Sequence, residues 1–315
     1  MKTLPRTISF LSLLTLGFII NACGGGSSGQ GTGVIQVSIT DAPVDEAEAV
    51  VIYFADATLH GPDGNTSIGI YDPAIPNPVE KGRSIDLMQF QNGMWSGLFD
   101  EEVTAGQYSW MRLTLDLSRS YIQINGNQFP LRCTSCENSD FRLNRSFSIA
   151  KDGTLALVLD FDLRKSITDP SNQSIEYILR PTLRVVEAAV SGAIAGDIDP
   201  NLIADLDGFS GCSVYAFNGF DAQLDDVYIP MNNQIPNGQN NPVSSTRVMY
   251  ENNNYHYTLS FLPEGNYTVA LTCDADTDKA DSSETLNFAE PLNVPVVAGQ
   301  TSDASMLLPP PIVIP

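Results

Sequence analysis

Residues 154–163 read Thr154-Leu155-Ala156-Leu157-Val158-Leu159-Asp160-Phe161-Asp162-Leu163, and their period of two decides the fold class. Leu155, Leu157, Leu159, Phe161 and Leu163 share one face, while Ala156, Val158, Asp160 and Asp162 share the other. That is the pattern of a strand, whose successive side chains point to opposite sides of its sheet. Asp152-Gly153 immediately before it is a hairpin-turn signature. Tyr108 to Leu117 alternates likewise, with Met111, Leu113, Leu115 and Leu117 on one face. Residues 34–39, 121–124 and 184–186 read as further strands. No apolar pattern at i, i+3, i+4, i+7 persists after residue 33. Short strands separated by frequent turns predict an all-β chain of sandwich type.

Working outward, a second block starts near Ser191. Gly192-Ala193-Ile194-Ala195-Gly196 begins a strand, 212–217 gives another, and 255–261 a third. A polar stretch over 232–241 reads as a long loop between the last two. Strands over 267–271 and 294–297 follow. Two β-sandwich domains of immunoglobulin or transthyretin type are therefore expected, over 34–187 and 190–308, with a proline-rich tail at 309–315. No conspicuous linker separates them, so close abutment is expected. Ala105-Gly106-Gln107-Tyr108 and Glu264-Gly265-Asn266-Tyr267 each set a glycine two residues before a strand-opening tyrosine. This predicts a buried ring in each domain with its hydroxyl tied to backbone, a known device of sandwiches.

The length of 315 residues suits two domains. A formal charge of −21 repels phosphate backbones and excludes nucleic acid as a partner. Two histidines leave little room for histidine-based zinc sites or a Ser-His-Asp triad. At the N-terminus, Lys2 and Arg6 precede an apolar run over 8–20. That run is short of the roughly 20 residues a membrane-spanning helix needs. Its flanks are those of a secretory signal. Ile20-Asn21-Ala22-Cys23 resembles a bacterial lipobox, which implies a lipoprotein signal peptide over 1–22, cleavage before Cys23 and acylation of that cysteine. Several acyl chains on one residue anchor stably. Residues 23–33 then form the lipidated cysteine and a flexible Gly/Ser linker. Gly24 is not the aspartate that retains enterobacterial lipoproteins at the inner membrane, which points to the outer membrane of a Gram-negative bacterium.

The chain has five cysteines, and removing Cys23 leaves an even set for an oxidising compartment. Cys133 is paired with Cys136 and Cys212 with Cys273, each pair inside one expected domain. Cys133-Thr134-Ser135-Cys136 also has the spacing of redox and zinc sites. No second such pair and no nearby histidine exist in the sequence, which favours a structural clip.

Several ordered pieces of the first block carry a resemblance. They are 39–45, Ser84-Ile85-Asp86-Leu87, Ala105-Gly106-Gln107-Tyr108 with Arg112-Leu113, 159–166 and Leu179-Arg180-Pro181. Through them residues 34–186 resemble the bacterial lipoprotein family catalogued as domain of unknown function 4382, which implies a fold and an envelope address but no reaction. Residues 190–308 resemble a carboxypeptidase-regulatory or transthyretin-like sandwich, related to starch-binding-like modules. The carrying pieces are 192–196, 214–217, 262–269 and 297–301. That resemblance implies a binding or spacer role, with carbohydrate as one ligand.

Candidate chemistry is sparse. Asp274, Asp276, Asp278 and Asp281 form an acidic loop whose alternating carboxylates could face one calcium ion. Lys279 stands where a calcium loop has its turning glycine and Thr285 where it has its glutamate, and a solvated acidic loop is the plainer reading. Asp160 and Asp162 could flank a glycosidic bond, but Arg164 and Lys165 beside them read as a salt-linked strand end. Ser148-Ile149-Ala150-Lys151 matches SxxK without the helix that motif needs. Trp95 and Trp110 could be exposed platforms or half-buried anchors, and Tyr255 and Tyr257 share the parity of a core face. No catalytic residue is assigned. A non-catalytic envelope module for binding, adhesion or structure is expected, partnered by the membrane and by an envelope protein or glycan. The alternatives are carbohydrate binding through the C-terminal domain and, behind it, a glycan-acting hydrolase.

Overall fold

The structure, a computed structural model, describes residues 31–42, 47–133, 136, 141–168, 176–206, 211–230 and 234–308. Through residue 187 the strands are β1 (Thr32–Ala42), β2 (Ala49–Gly61), β3 (Gly64–Gly69), β4 (Arg83–Asp86), β5 (Ser96–Thr104), β6 (Gly106–Tyr108), β7 (Trp110–Leu115) and β8 (Tyr121–Ile124). They continue with β9 (Asn127–Arg132), β10 (Phe141–Leu143), β11 (Phe147–Ile149), β12 (Thr154–Asp162), β13 (Ile167–Thr168), β14 (Tyr177–Leu179) and β15 (Leu183–Glu187). A single helical turn, α1 (Leu163–Ser166), follows β12. Beyond it come β16 (Ser191–Ile198), the short helix α2 (Pro200–Asp205), β17 (Ser213–Asn218), β18 (Ser244–Arg247), β19 (Met249–Glu251), β20 (Asn254–Pro263), β21 (Gly265–Thr272), β22 (Leu292–Val296) and β23 (Thr301–Asp303).

These strands build two β-sandwiches, and no sheet draws strands from both. In the first, the sheet β15-β12-β1-β5 faces the sheet β10-β7-β2-β8-β9-β14-β13, with β3 and β4 also paired to β2. In the second, β19-β20-β16-β23 faces β18-β17-β21-β22. The first core forms where Ile35, Val37 and Ile39 of β1 and Leu155, Leu157, Leu159 and Phe161 of β12 meet Val50, Ile52, Phe54 and Leu59 of β2. Each such side chain contributes about 1.5–3 kcal/mol when fully buried. The second core gathers Ile194, Val214, Leu259, Leu262, Val269 and Leu271. Tyr108 donates its hydroxyl hydrogen to the Thr104 carbonyl at 2.7 Å and Tyr267 to the Pro263 carbonyl at 2.8 Å, so both expected tyrosines reach backbone four residues upstream.

Three features depart from the sequence reading. Asp152-Gly153 does not close a hairpin: β11 pairs with β6, while β12 runs parallel to β1 from Val34↔Thr154 to Ala42↔Asp162. The turn therefore passes the chain between two sheets. Leu163 has left the strand and opens α1, whose first turn is capped by Asp162 Oδ1 accepting from the Lys165 amide at 3.0 Å. Finally, β12 is buried on both faces from Leu157 onward, Val158, Asp160 and Asp162 included.

The second sandwich explains that last burial. Strand β1 packs on β18, and β15 on β20. Lys165 Nζ donates to the Pro242 carbonyl at 2.7 Å, and an Arg164 guanidinium hydrogen goes to the Ala275 carbonyl. Asn92 makes a two-way link: its Nδ2 donates to the Arg247 carbonyl at 3.1 Å and its Oδ1 accepts from the Thr258 amide at 3.0 Å. Two buried cations and a bidentate amide fix the sandwiches against each other, since each group left unsatisfied would cost its desolvation.

Candidate functional site

A cleft of about 740 Å³ lies in the first sandwich. It opens between the edge strand β5, the outer side of β1 and the loop that leads from β3 to β4. The loop carries Tyr71, Asp72, Pro73, Ile75 and Pro78, and turns at its start, where the Ile75 amide donates to the Asp72 carbonyl at 3.1 Å. Asn92 and Gly93 both adopt positive φ, at 52° and 84°, in the turn that precedes Trp95. That turn presents Trp95 to solvent with 56 % of its surface exposed, beside Tyr71 at 38 %. The half-buried anchor is thus not what Trp95 becomes.

Polar groups ring this aromatic patch. Arg83 is fixed by donating to the Gly97 carbonyl at 2.7 Å and to Ser96 Oγ at 2.9 Å. Gln36 Nε2 donates to Asp100 Oδ2 at 3.0 Å, and Asp72 Oδ1 accepts from the Ala74 amide at 2.9 Å. The lining contains neither histidine nor cysteine. Exposed aromatic rings with a fixed guanidinium and carboxylates around them can bind and orient a ligand.

The acidic loop resolves differently from its sequence pattern. Asp274 Oδ2 accepts from the Asn287 amide at 2.7 Å and from its Nδ2 at 3.0 Å. Asp276 and Asp281 are exposed, whereas Asp278 is buried. Asp278 takes the Tyr215 hydroxyl hydrogen on Oδ2 and the Val227 amide on Oδ1, at 3.1 Å. Of the four residues, Asp278 alone enters the carboxylate group found among the described residues. Its companions are Asp226 and Glu284, with ligand oxygens within 4.8 Å of one another. Asp226 Oδ1 accepts from Gln239 Nε2 at 2.9 Å, and its Oδ2 from the Glu284 amide. Burial raises the Asp278 carboxyl to about 6, with the Asp226 charge adding to it, while Arg164, Tyr215 and Val227 pull the other way. Asp226 lies far from Asp278 in sequence, and no spacing rule connects them.

The remaining candidates take structural places. Asp160 pairs with Arg184 across β12 and β15, and Asp162 with Lys165 at 2.6 Å. The strand end is salt-linked as read, with Arg184 supplying the cation for Asp160. Ser148 lies in β11 and Lys151 in the following turn, so SxxK finds no helix. Cys133–Cys136 and Cys212–Cys273 are disulfides. Tyr257 is buried and donates to the Ala304 carbonyl at 2.8 Å. Tyr255 is half-buried under Tyr250, with ring centroids 4.6 Å apart. Cys23, its signal segment, Asp45 and the proline-rich tail lie outside the described residues.

Comparison with known proteins agrees with the first block. Residues 32–181 match the family described as domain of unknown function (DUF4382). None of the curated proteins matches the chain. Among solved structures, the Bacillus anthracis TIE protein aligns with 88 % of this chain at 11 % identity and a TM-score of 0.19, and this chain spans 34 % of that one. The minor pilin GBS52 of Streptococcus agalactiae aligns over 89 % of this chain and 99 % of its own, at 8 % identity and a TM-score of 0.19. The major pilin subunit of Bacillus cereus aligns over 87 % and 99 %, at 10 % identity and a TM-score of 0.18. TM-scores this low do not establish a shared fold with any of the three.

Proposed function

We propose that the chain is a non-catalytic adhesion module of the bacterial envelope, held at the outer membrane by lipid on Cys23 and binding a glycan in the cleft beside Trp95. The observation that carries this reading is the exposure of Trp95 and Tyr71 on one cleft, a large apolar surface left wet in a well-packed sandwich. Aromatic faces suit the apolar faces of sugar rings, and Gln36, Asp72, Asp100 and Glu101 can bond their hydroxyls. The Gly/Ser stretch after Cys23 supports a tethered display.

A second reading places the glycan on the C-terminal sandwich, on Tyr250, which is 51 % exposed over Tyr255. Binding of the full chain to a glycan array and to intact cells, with Trp95→Ala and Tyr250→Ala alongside, separates the two. Loss in Trp95→Ala supports the cleft, and loss in Tyr250→Ala supports the second reading. Retention in both sinks the glycan proposal. Replacement of Cys23 by serine is expected to abolish membrane retention and acylation.

A further inference from the structure

Gly97 lies inside strand β5 without a positive φ, and a β-carbon built on it would meet nothing within 4 Å. The irregularity between β1 and β5 leaves Leu98 unmatched rather than Gly97, since Val37 pairs with Phe99 and Ser38 with Gly97. Neither its own backbone nor a neighbour therefore calls for a glycine. A glycine in a strand weakens it, and one left without a structural reason marks a place where a ligand comes close to the chain. Gln36 and Ser38, two apart on β1, share a face, and their partners across the ladder are Asp100 and Gly97. All four line the cleft beside Trp95 and Tyr71, so its floor is bare backbone with a carboxylate standing next to it.

The charge of that lining has a sign. Its carboxylates are Asp72, Asp100 and Glu101, and against them stands a single cation, Arg83. Arg83 is turned onto β5, where Nη1 donates to the Gly97 carbonyl at 2.7 Å and Nη2 to Ser96 Oγ at 2.9 Å. Asp100 and Glu101 are exposed, and the next residue, Glu102, is a third exposed acid on the same edge strand. Taking the cleft as the glycan site, we propose that its ligand is a polymer of amino sugars with free amines, whose ammonium groups are received by Asp72, Asp100 and Glu101 while the sugar rings lie over Gly97 against Trp95.

Three physical arguments converge on that ligand. A chain of net charge −21 draws cationic polymers toward it and repels anionic ones. A carboxylate bonds an ammonium more strongly than a hydroxyl, because both members of the pair are charged. An exposed indole or phenol face attracts an ammonium as well as the apolar side of a sugar ring, so Trp95 and Tyr71 serve both parts of an amino sugar. Asp100 is also held in place, since Gln36 Nε2 donates to its Oδ2 at 3.0 Å, and Asp72 is held by the Ala74 amide on Oδ1 at 2.9 Å. Each carboxylate keeps a second oxygen for the ligand, and groups already fixed lose little freedom on binding.

The test is isothermal titration of the full chain with β-1,4-linked oligosaccharides of one length that carry an amine, an acetamide or a hydroxyl at carbon 2, with oligolysine as a sugar-free polycation. Mildly acid buffer keeps the amines protonated and the carboxylates ionised. The amine form is expected to bind on the order of tenfold tighter than the other two sugars, with the gap closing as salt rises. Asp100→Asn, at an exposed position, is expected to melt as wild type and to weaken the amine form alone, on the order of fivefold, the worth of one exposed charge pair. Gly97→Leu, which fills open space, is expected to melt as wild type and to lose every sugar. Equal binding of all three sugars, each lost in Gly97→Leu, would overturn the amine preference and leave the cleft as a glycan site. Amine-form binding that survives Gly97→Leu, or that oligolysine matches, would overturn the proposal as adsorption of any polycation to an acidic surface. No binding of the amine form would overturn it outright.

Discussion

Lys165 of α1 donates to the Pro242 carbonyl at 2.7 Å while its ammonium lies 2.6 Å from Asp162 Oδ2, so a single buried cation neutralises its own strand end and grips the second sandwich. With the ammonium, Asp162 is a satisfied buried anion; without it, Asp162 is an isolated one.

Lys165→Met is therefore expected to cost about 3–5 kcal/mol, the penalty of leaving one partner of a buried pair uncompensated. Urea unfolding followed by near-ultraviolet circular dichroism reads this as a lower midpoint. A loss under roughly 1 kcal/mol would show the pair to be dispensable, as exposed pairs are.

The raised Asp278 carboxyl sets a pH dependence. In the folded chain it gains its proton near 6, and in the unfolded chain near the ordinary carboxylate value. The folded state thus holds the extra proton between those values, and stability rises as pH falls from 7 through 6 toward 4. The ionised form costs roughly 2–3 kcal/mol at neutral pH by that linkage. Melting temperatures across pH 4–7 are expected to climb on acidification, and Asp278→Asn to flatten the climb.

Tyr267→Phe and Tyr108→Phe remove the hydroxyls that satisfy the Pro263 and Thr104 carbonyls. Each is expected to lose about 1–2 kcal/mol, a lost hydrogen bond plus some desolvation of the abandoned acceptor. Equilibrium denaturation of the single variants checks this, and no change in either would make the two contacts ornamental.

The two disulfides should differ in worth. Cys212–Cys273 spans a sequence separation of 61, and Cys133–Cys136 one of 3. By loop-closure entropy, serines at Cys212 and Cys273 cost on the order of 4 kcal/mol, and the shorter clip well under that. Thermal melts of the two double variants give the order directly.

Strands that bury one face were legible because they show their period, as Met111 and Leu113 against Trp110 and Arg112 do. The tyrosine hydroxyls and the cysteine pairs were legible because their chemistry is local to a turn or to one domain. The parallel pairing of β1 with β12 was not, since a strand's pattern names its face and never its neighbour. The burial of Asp160 and Asp162 was not legible because alternation places them opposite the leucines without showing what covers that face, although Val158 between the leucines was an available sign. Asp226 joined Asp278 and Glu284 through contacts between distant loops, which leave no trace in spacing. The exposure of Trp95 followed from the left-handed backbone at Asn92 and Gly93, where Asn-Gly spelled a turn but not its direction.

Strand β1 is held on one side by β12 and on the other by β5, in registers running almost its full length. A pull applied at its Thr32 end acts along the strand, across hydrogen bonds that lie largely transverse to it. The bonds on both sides are then loaded together in shear, and none can be unzipped ahead of the rest. A body tethered through this end and tugged by whatever it grips would yield late, at a force set by two whole ladders rather than by the weakest pair.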